Sequence, residues 1–388
     1  MKYVKLNTLC DINIGKTPSR SNQEYWGLGG KWISIADIKS TYITDTKEQI
    51  TPLGIDQSKI KLVPKDTVIM SFKLTVGKVA ITAEDMYTNE AIASFPIKDD
   101  SKLYTKYLYY CLQTLNLMPA TDRAVMGATL NKAKLNEIKI PYVDYDQQIK
   151  IANILDQAQE LIDKRKAQIE ALDELIQSVF YDMFGDPGLN SKGWETGRIS
   201  DIIVKTQYGT STKANETEGE YAVLRMNNIT YSGNWDFKSL KYVDLDEKDR
   251  KKYLVYKGEV LFNRTNSKEL VGKTAVYKRE EPMAYAGYLV KATPNNRANG
   301  QFIASYMNTK YTKSLLFNMA KNIVGMANIN AEEFKNIKVY IPPIEIQNQF
   351  AEIVENIEKQ KALLNESLVD LENNFNSLMQ RAFSGELF

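Results

Sequence analysis

The chain has 388 residues, 43% apolar and 25% charged with a net charge of +2, an ordinary soluble composition with room for two or three domains. It contains no histidine and only Cys10 and Cys111, which removes the commonest general base, a disulfide framework and a zinc site, and points to a reducing cytoplasm. No apolar run approaches the length of a membrane span, and MKYVKLNTLCDI is not a secretory pattern, so no membrane association is expected.

Residues 1–145 read as a compact α+β domain. Short strands are expected at Lys31–Ile38 and Asp66–Phe72, with turn signals at Gly15, Gly29-Gly30 and Gly54, and a helix at Leu103–Leu115. Residues 146–184 read as one long helix. Ile151, Leu155, Ala158, Ile162, Arg165, Ile169, Leu172, Ile176 and Val179 recur at alternating steps of four and three, a coiled-coil seam that stops at Gly185-Asp186-Pro187.

Residues 185–341 repeat the first domain, with strands expected at Tyr221–Ile229 and Glu259–Phe262 and a helix at Gln301–Asn308. Residues 342–388 repeat the helix through Phe350, Val354, Ile357, Lys361, Leu364, Leu368, Leu371, Phe375 and Leu378. The duplication is legible line by line. SIADI (Ser34–Ile38) returns as RMNNI (Arg225–Ile229), Leu62–Lys73 as Leu254–Thr265, and Leu135–Leu155 as Phe334–Val354, with Gln148 matching Gln347. The expected fold class is α+β. Two duplicated globular domains are separated by two long helices, packed as an antiparallel coiled coil about a pseudo-two-fold axis. A helix of about 35 residues spans on the order of 50 Å, enough to hold two contact points about one turn of B-DNA, ~34 Å, apart.

Charge follows the same division. Asp146–Phe184 carries net −4 and Ile344–Phe388 net −5, which leaves +11 on the two globular segments. Basic domains suit a polyanion and acidic helices suit a protein partner.

Catalytic motifs are wanting. Gly15-Lys16-Thr17 and Gly272-Lys273-Thr274 end like a phosphate-binding loop, but Cys10 and Ser267 stand where its first glycine belongs. Pro342-Pro343 lacks the Asn or Asp of an adenine methyltransferase tetrad, and Glu333-Phe334-Lys335 has no acid in its first-copy partner Lys134-Leu135-Asn136. No catalytic, cofactor-binding or metal-binding residue is therefore assigned.

The functional candidates are polar and basic loop residues suited to duplex DNA. In the first domain they are Lys16, Thr17, Ser19, Arg20, Lys73, Arg123 and Asn131. In the second they are Thr210, Ser211, Lys213, Arg225, Asn227, Asn228, Asn263, Arg264, Thr265, Asn266 and Lys268. Arg pairs bidentately with guanine and Asn with adenine, while Lys, Ser and Thr suit phosphates. The Asn263–Lys268 stretch is the foremost of them, because it is polar, holds a three-residue insertion and has no apolar reason to exist. The polar seam positions Arg165 and Lys361 are expected to fix helix register, to touch phosphates of an unread gap, or to stand as solvated charges at the seam edge.

The two strand-to-helix junctions, IKIPYVDYDQQIKIANIL and IKVYIPPIEIQNQFAEIV, and the helix ends FYDMFGDP and RAFSGELF, follow one another in order and spacing over essentially the whole chain. In this the sequence resembles the specificity subunits of type I restriction-modification systems. It departs from the family pattern in the first junction, where a lone Pro141 and YVDYDQ stand in place of IPPIEIQ. The resemblance implies two target-recognition domains, each reading one half of a bipartite DNA site. It also implies helices that dock methyltransferase subunits, expected as a pair, which bind S-adenosylmethionine and methylate a flipped adenine, and restriction subunits that cut unmodified DNA. On this reading the chain itself has no cofactor and no catalysis. The alternatives are the DNA-recognition subunit of another modification or phage-defence complex, a coiled-coil scaffold without DNA binding, and an autonomous nuclease.

Overall fold

Two short strands buried at every residue, Val68–Ser71 and Val260–Asn263, stand at the centre of two similar sheets. Their continuous apolar runs fit strands covered on both faces. The computed structural model describes residues 1–115, 122–124, 127–323 and 325–387, without the side chains of 122–124, 127–129, 322 and 323. The chain divides into two compact units, residues 1–165 with 367–388 and residues 166–366.

In the first unit a five-stranded sheet runs in the order Asn13–Ile14, Ile92–Phe95, Val68–Ser71, Val79–Thr82, Tyr42–Ile43. A three-stranded sheet has Trp26–Ile33 at its centre, between Glu48–Ile50 and Tyr87–Thr88. The second unit repeats the plan. Ile203–Tyr208, Leu289–Pro294, Val260–Asn263 and Thr274–Val276 form one sheet, and Tyr221–Leu224 lies between Lys241–Val243 and Met283–Tyr285 in another. Even the parallel pairings correspond: Trp32 with Tyr87 in one copy, Val223 with Ala284 in the other.

The strand expected at Lys31–Ile38 lies earlier, at Trp26–Ile33, and the one expected at Tyr221–Ile229 is shorter than the sequence suggested. They stop at Ile33 and Leu224 because a side chain turns the backbone. Asp37 accepts the Ser34 amide at 2.8 Å, and Asn228 accepts the Arg225 amide at 2.8 Å. SIADI and RMNNI are thus one repeated turn.

The long helices span Tyr145–Phe184 and Ile344–Ser384. None of the eighteen seam residues is exposed. In the first unit, Ile151, Ala152 and Leu155 share a core with Met379, Ala382 and Phe383 and with the helix Thr105–Gln113. In the second, Phe180 and Phe184 pack on Phe350 at 5.6 and 5.3 Å, and the Lys361 ammonium meets Asp173 at 2.5 Å. The pairings 184 with 350 and 173 with 361 make the helices antiparallel within that unit. Lys361 thereby has a carboxylate partner at the seam. Among the described residues no helix is long and apolar enough to cross a membrane.

Gln148 and Gln347 hold each strand-to-helix junction to its domain. Both side chains are fully buried. Gln148 accepts the Tyr104 amide and donates to the Lys102 and Val143 carbonyls at 2.9–3.0 Å. Gln347 accepts the Asn299 amide and donates to the Arg297 and Pro342 carbonyls at 2.7–3.0 Å. The amide is fully used in each copy, which explains why this residue survives the divergence around it.

Candidate nucleic-acid interface

In the first unit the loop after Asn13–Ile14 gathers several candidates around an open cavity of about 640 Å³. Lys16, Thr17 and Ser19 line it with Glu90 and Ser58. Lys16 is exposed and donates to the Ser58 carbonyl at 3.3 Å, while the Thr17 hydroxyl donates to Glu90. Arg20 lies 3.7 Å above the Trp26 ring and makes a forked pair with Glu48, which draws the Glu48 carboxyl below its usual range.

Lys73 begins the strand Lys73–Leu74, which pairs with Gly127–Thr129. Arg123 belongs to the adjoining strand Asp122–Ala124, but its side chain lies outside the described residues. The Asn131 side chain is occupied within the fold, since it caps the helix Lys132–Asn136 by accepting the Lys134 amide at 2.9 Å. Asn330 does the same for Glu333 in the second copy.

In the second unit the candidates separate into buried and presented groups. Thr210, Asn228, Asn263 and Thr265 are internal. The Thr210 hydroxyl organises the turn through Thr212, and Asn228 also donates to the Asp236 and Ser239 carbonyls. Asn228 therefore closes a turn inside the fold instead of offering its amide to a ligand. Ser211, Lys213 and Asn227 are exposed. Arg225 is half-buried and donates to Ser239.

The Asn263–Lys268 stretch forms a network. Thr265–Asn266 pairs with Met326–Asn328, and the Asn328 amide donates to the Thr265 hydroxyl at 2.7 Å. Arg264 lies 4.9 Å from the Tyr208 ring, with only long hydrogen bonds of 3.4 and 3.5 Å to Asn328 and the Gly287 carbonyl. Asn266 accepts the Ser267 amide, and the Lys268 ammonium stands over Phe317. Among the described residues, every buried side-chain donor without a partner belongs to Arg225, Asn263 or Arg264. Folded chains rarely leave such donors unpaired.

Sequence reasoning missed Tyr208, Asn328 and Glu48. Tyr208 directly precedes the Gly209-Thr210 turn, so proximity was the available signal. Asn328 is 63 or more residues from its partners Arg264 and Thr265 and gave none.

A family model of the type I restriction modification DNA specificity domain matches the chain twice, at residues 1–171 and 191–373. The MjaIX type I restriction enzyme specificity subunit of Methanocaldococcus jannaschii is 28% identical over 241 residues, 57% of this chain and 55% of that protein. The HindI specificity subunit of Haemophilus influenzae is 31% identical over 140 residues, 35% of this chain and 30% of that one. The matched region thus spans about half the length of the first relative and a third of the second. Among solved structures, the type I restriction-modification S subunit from M. genitalium aligns with a TM-score of 0.54 at 16% identity, covering 98% of this chain and 96% of that one. A chain from a study of assembly and conformational transition in the type I R-M system aligns at 0.61 and 15% identity, covering 100% and 98%. At these identities the structures share the fold.

Proposed function

The chain belongs to the type I restriction modification DNA specificity domain family, and from that premise we propose that it is the sequence-reading subunit of a type I restriction-modification complex. Each globular domain reads one half of a bipartite duplex site, and the long helices set the gap and dock methyltransferase subunits. S-adenosylmethionine and adenine methylation belong to those partners, cleavage belongs to restriction subunits, and this chain contributes no catalytic residue.

The observation that carries this reading is the state of Arg264. It is half-buried on an aromatic ring, its guanidinium held by only two long hydrogen bonds of 3.4 and 3.5 Å. Arg is the residue type that reads guanine edges, and an approaching base would replace those long hydrogen bonds with short ones. The duplication supports two half-sites, and the difference between SFKLTVGK and NRTNSKELVGK supports two different ones.

The test is methylation-sensitive sequencing of host DNA with and without this gene, with its partner subunits expressed. Loss of N6-methyladenine from one split motif is expected. An unchanged methylation pattern would overturn the proposal.

A further inference from the structure

Next to the Asn263–Lys268 stretch the second unit holds a cavity of about 510 Å³ whose wall is unusually basic. One side is the helix Lys310–Met319, on which Lys310, Lys313, Ser314 and Phe317 fall on one face at helical spacing. Lys268 faces them from the opposite turn, its ammonium 4.5 Å from the Phe317 ring. Lys273, 7% exposed, also lines the cavity and donates to the Met226 and Ile229 carbonyls.

Four lysines therefore share one cavity with a single acid, Glu269. That carboxylate is held below its usual range first by its own backbone amide and then by the Ser267 hydroxyl, so it is committed to its own turn. Lys268, Lys310 and Lys313 form no ion pair among the described residues. The Lys313 ammonium donates to the Tyr231 carbonyl and rests 3.4 Å from that ring. Burial first, and Lys273 second, push it down to about 8. Four lysines against one carboxylate leave an excess of positive charge that calls for an anion, and hydroxyls from Ser232 and Ser314 add donors suited to phosphate.

We propose that this cavity grips a phosphate of the DNA backbone beside the bases faced by Arg264, with Lys310, Lys313 and Lys268 as the positioning residues. Lys268 links the two, since it ends the reading segment and lines the cavity. The inference rests on the DNA-reading function above and assigns it a sequence-independent anchor.

The test uses the full chain assembled with its methyltransferase subunits. Duplex affinity is measured across salt concentration for the native complex, for the double variant Lys310→Gln/Lys313→Gln, and for Lys313→Arg. The double variant should weaken cognate and unrelated duplexes by the same factor. It should also make the slope of log affinity against log salt shallower by about 0.9 for each phosphate no longer neutralised. Lys313→Arg should keep the native slope. Because Lys310 is exposed, Lys310→Gln alone gives a variant with no packing change to confound the result.

An unchanged slope with cognate preference intact would overturn the grip and leave the reading function standing. A selective loss of cognate over unrelated binding would overturn it too, by making these lysines base readers. A native complex without cognate preference would bring down the reading function and the grip together. Inorganic phosphate separates the two sources of this chemistry. Phosphate that protects the native chain against thermal unfolding and is displaced by duplex supports the grip, whereas protection that duplex leaves intact would assign the cavity to free phosphate instead.

Discussion

Gln347 shows how much one buried amide can hold. Replacing it with Leu would leave the Asn299 amide and two carbonyls without their partner. The expected cost is about 3 kcal/mol, read as a lower denaturation midpoint, with Gln148→Leu costing a similar amount in the first unit. A loss below about 1 kcal/mol for both would mean that the junctions are held by apolar packing alone. Arg264 belongs to the same scale but to the ligand. Arg264→Gln should cost about 1–3 kcal/mol of cognate binding and relax the second half-site while leaving the first untouched. Binding selections on randomised half-sites would show it, and an unaltered second half-site would remove Arg264 from the readers. The contrast between Arg264 and Asn228 was not visible in sequence. Both sit in polar stretches of the second domain, yet Asn228 spends its amide on its own turn.

Among elements, the long helices were the most legible, because a seam repeated over many turns outweighs local noise. Their ends depend on single residues. Gly185 follows the first helix at φ +80°, with Ser191 Oγ only 2.7 Å from where a Cβ would lie. Gly185→Ala should therefore lower stability by about 1–2 kcal/mol, measured by thermal unfolding; no change would mean that the turn to Pro187 relaxes freely. Of the short strands, Glu259–Phe262 was legible to within a residue, whereas Lys31–Ile38 was placed too late and Tyr221–Ile229 ran too long, because the side-chain turns at Asp37 and Asn228 interrupt an otherwise strand-like pattern. The paired domain helices, Thr105–Gln113 and Gly300–Met307, also differ in packing. Tyr109 and Tyr110 are buried in the first copy, whereas Ala304 and Ser305, at the matching positions, line a cavity of about 510 Å³ in the second. Equivalent backbones thus carry unequal packing.

For the whole molecule, duplication makes function divisible. Exchanging residues 1–145 for the corresponding domain of a relative should change one half of the methylated motif and leave the other half and the gap unchanged. Methylation sequencing of the chimera checks this, and a change in both halves would refute the one-domain, one-half-site assignment. The sequence by itself determined the duplication, the helix seams, the strand-to-helix junctions and the segregation of charge, because each is written in residue order or in a short period. Only the tertiary structure decided which polar residues remain available. It assigned Asn131 to a helix cap and Asn228 to a turn, placed Tyr208 and Asn328 around Arg264, and drew Lys310 and Lys313 together with Lys268. The physical reason is that a polar side chain's role depends on which donors and acceptors lie within about 3 Å of it, and for most of these residues those neighbours come from distant parts of the chain.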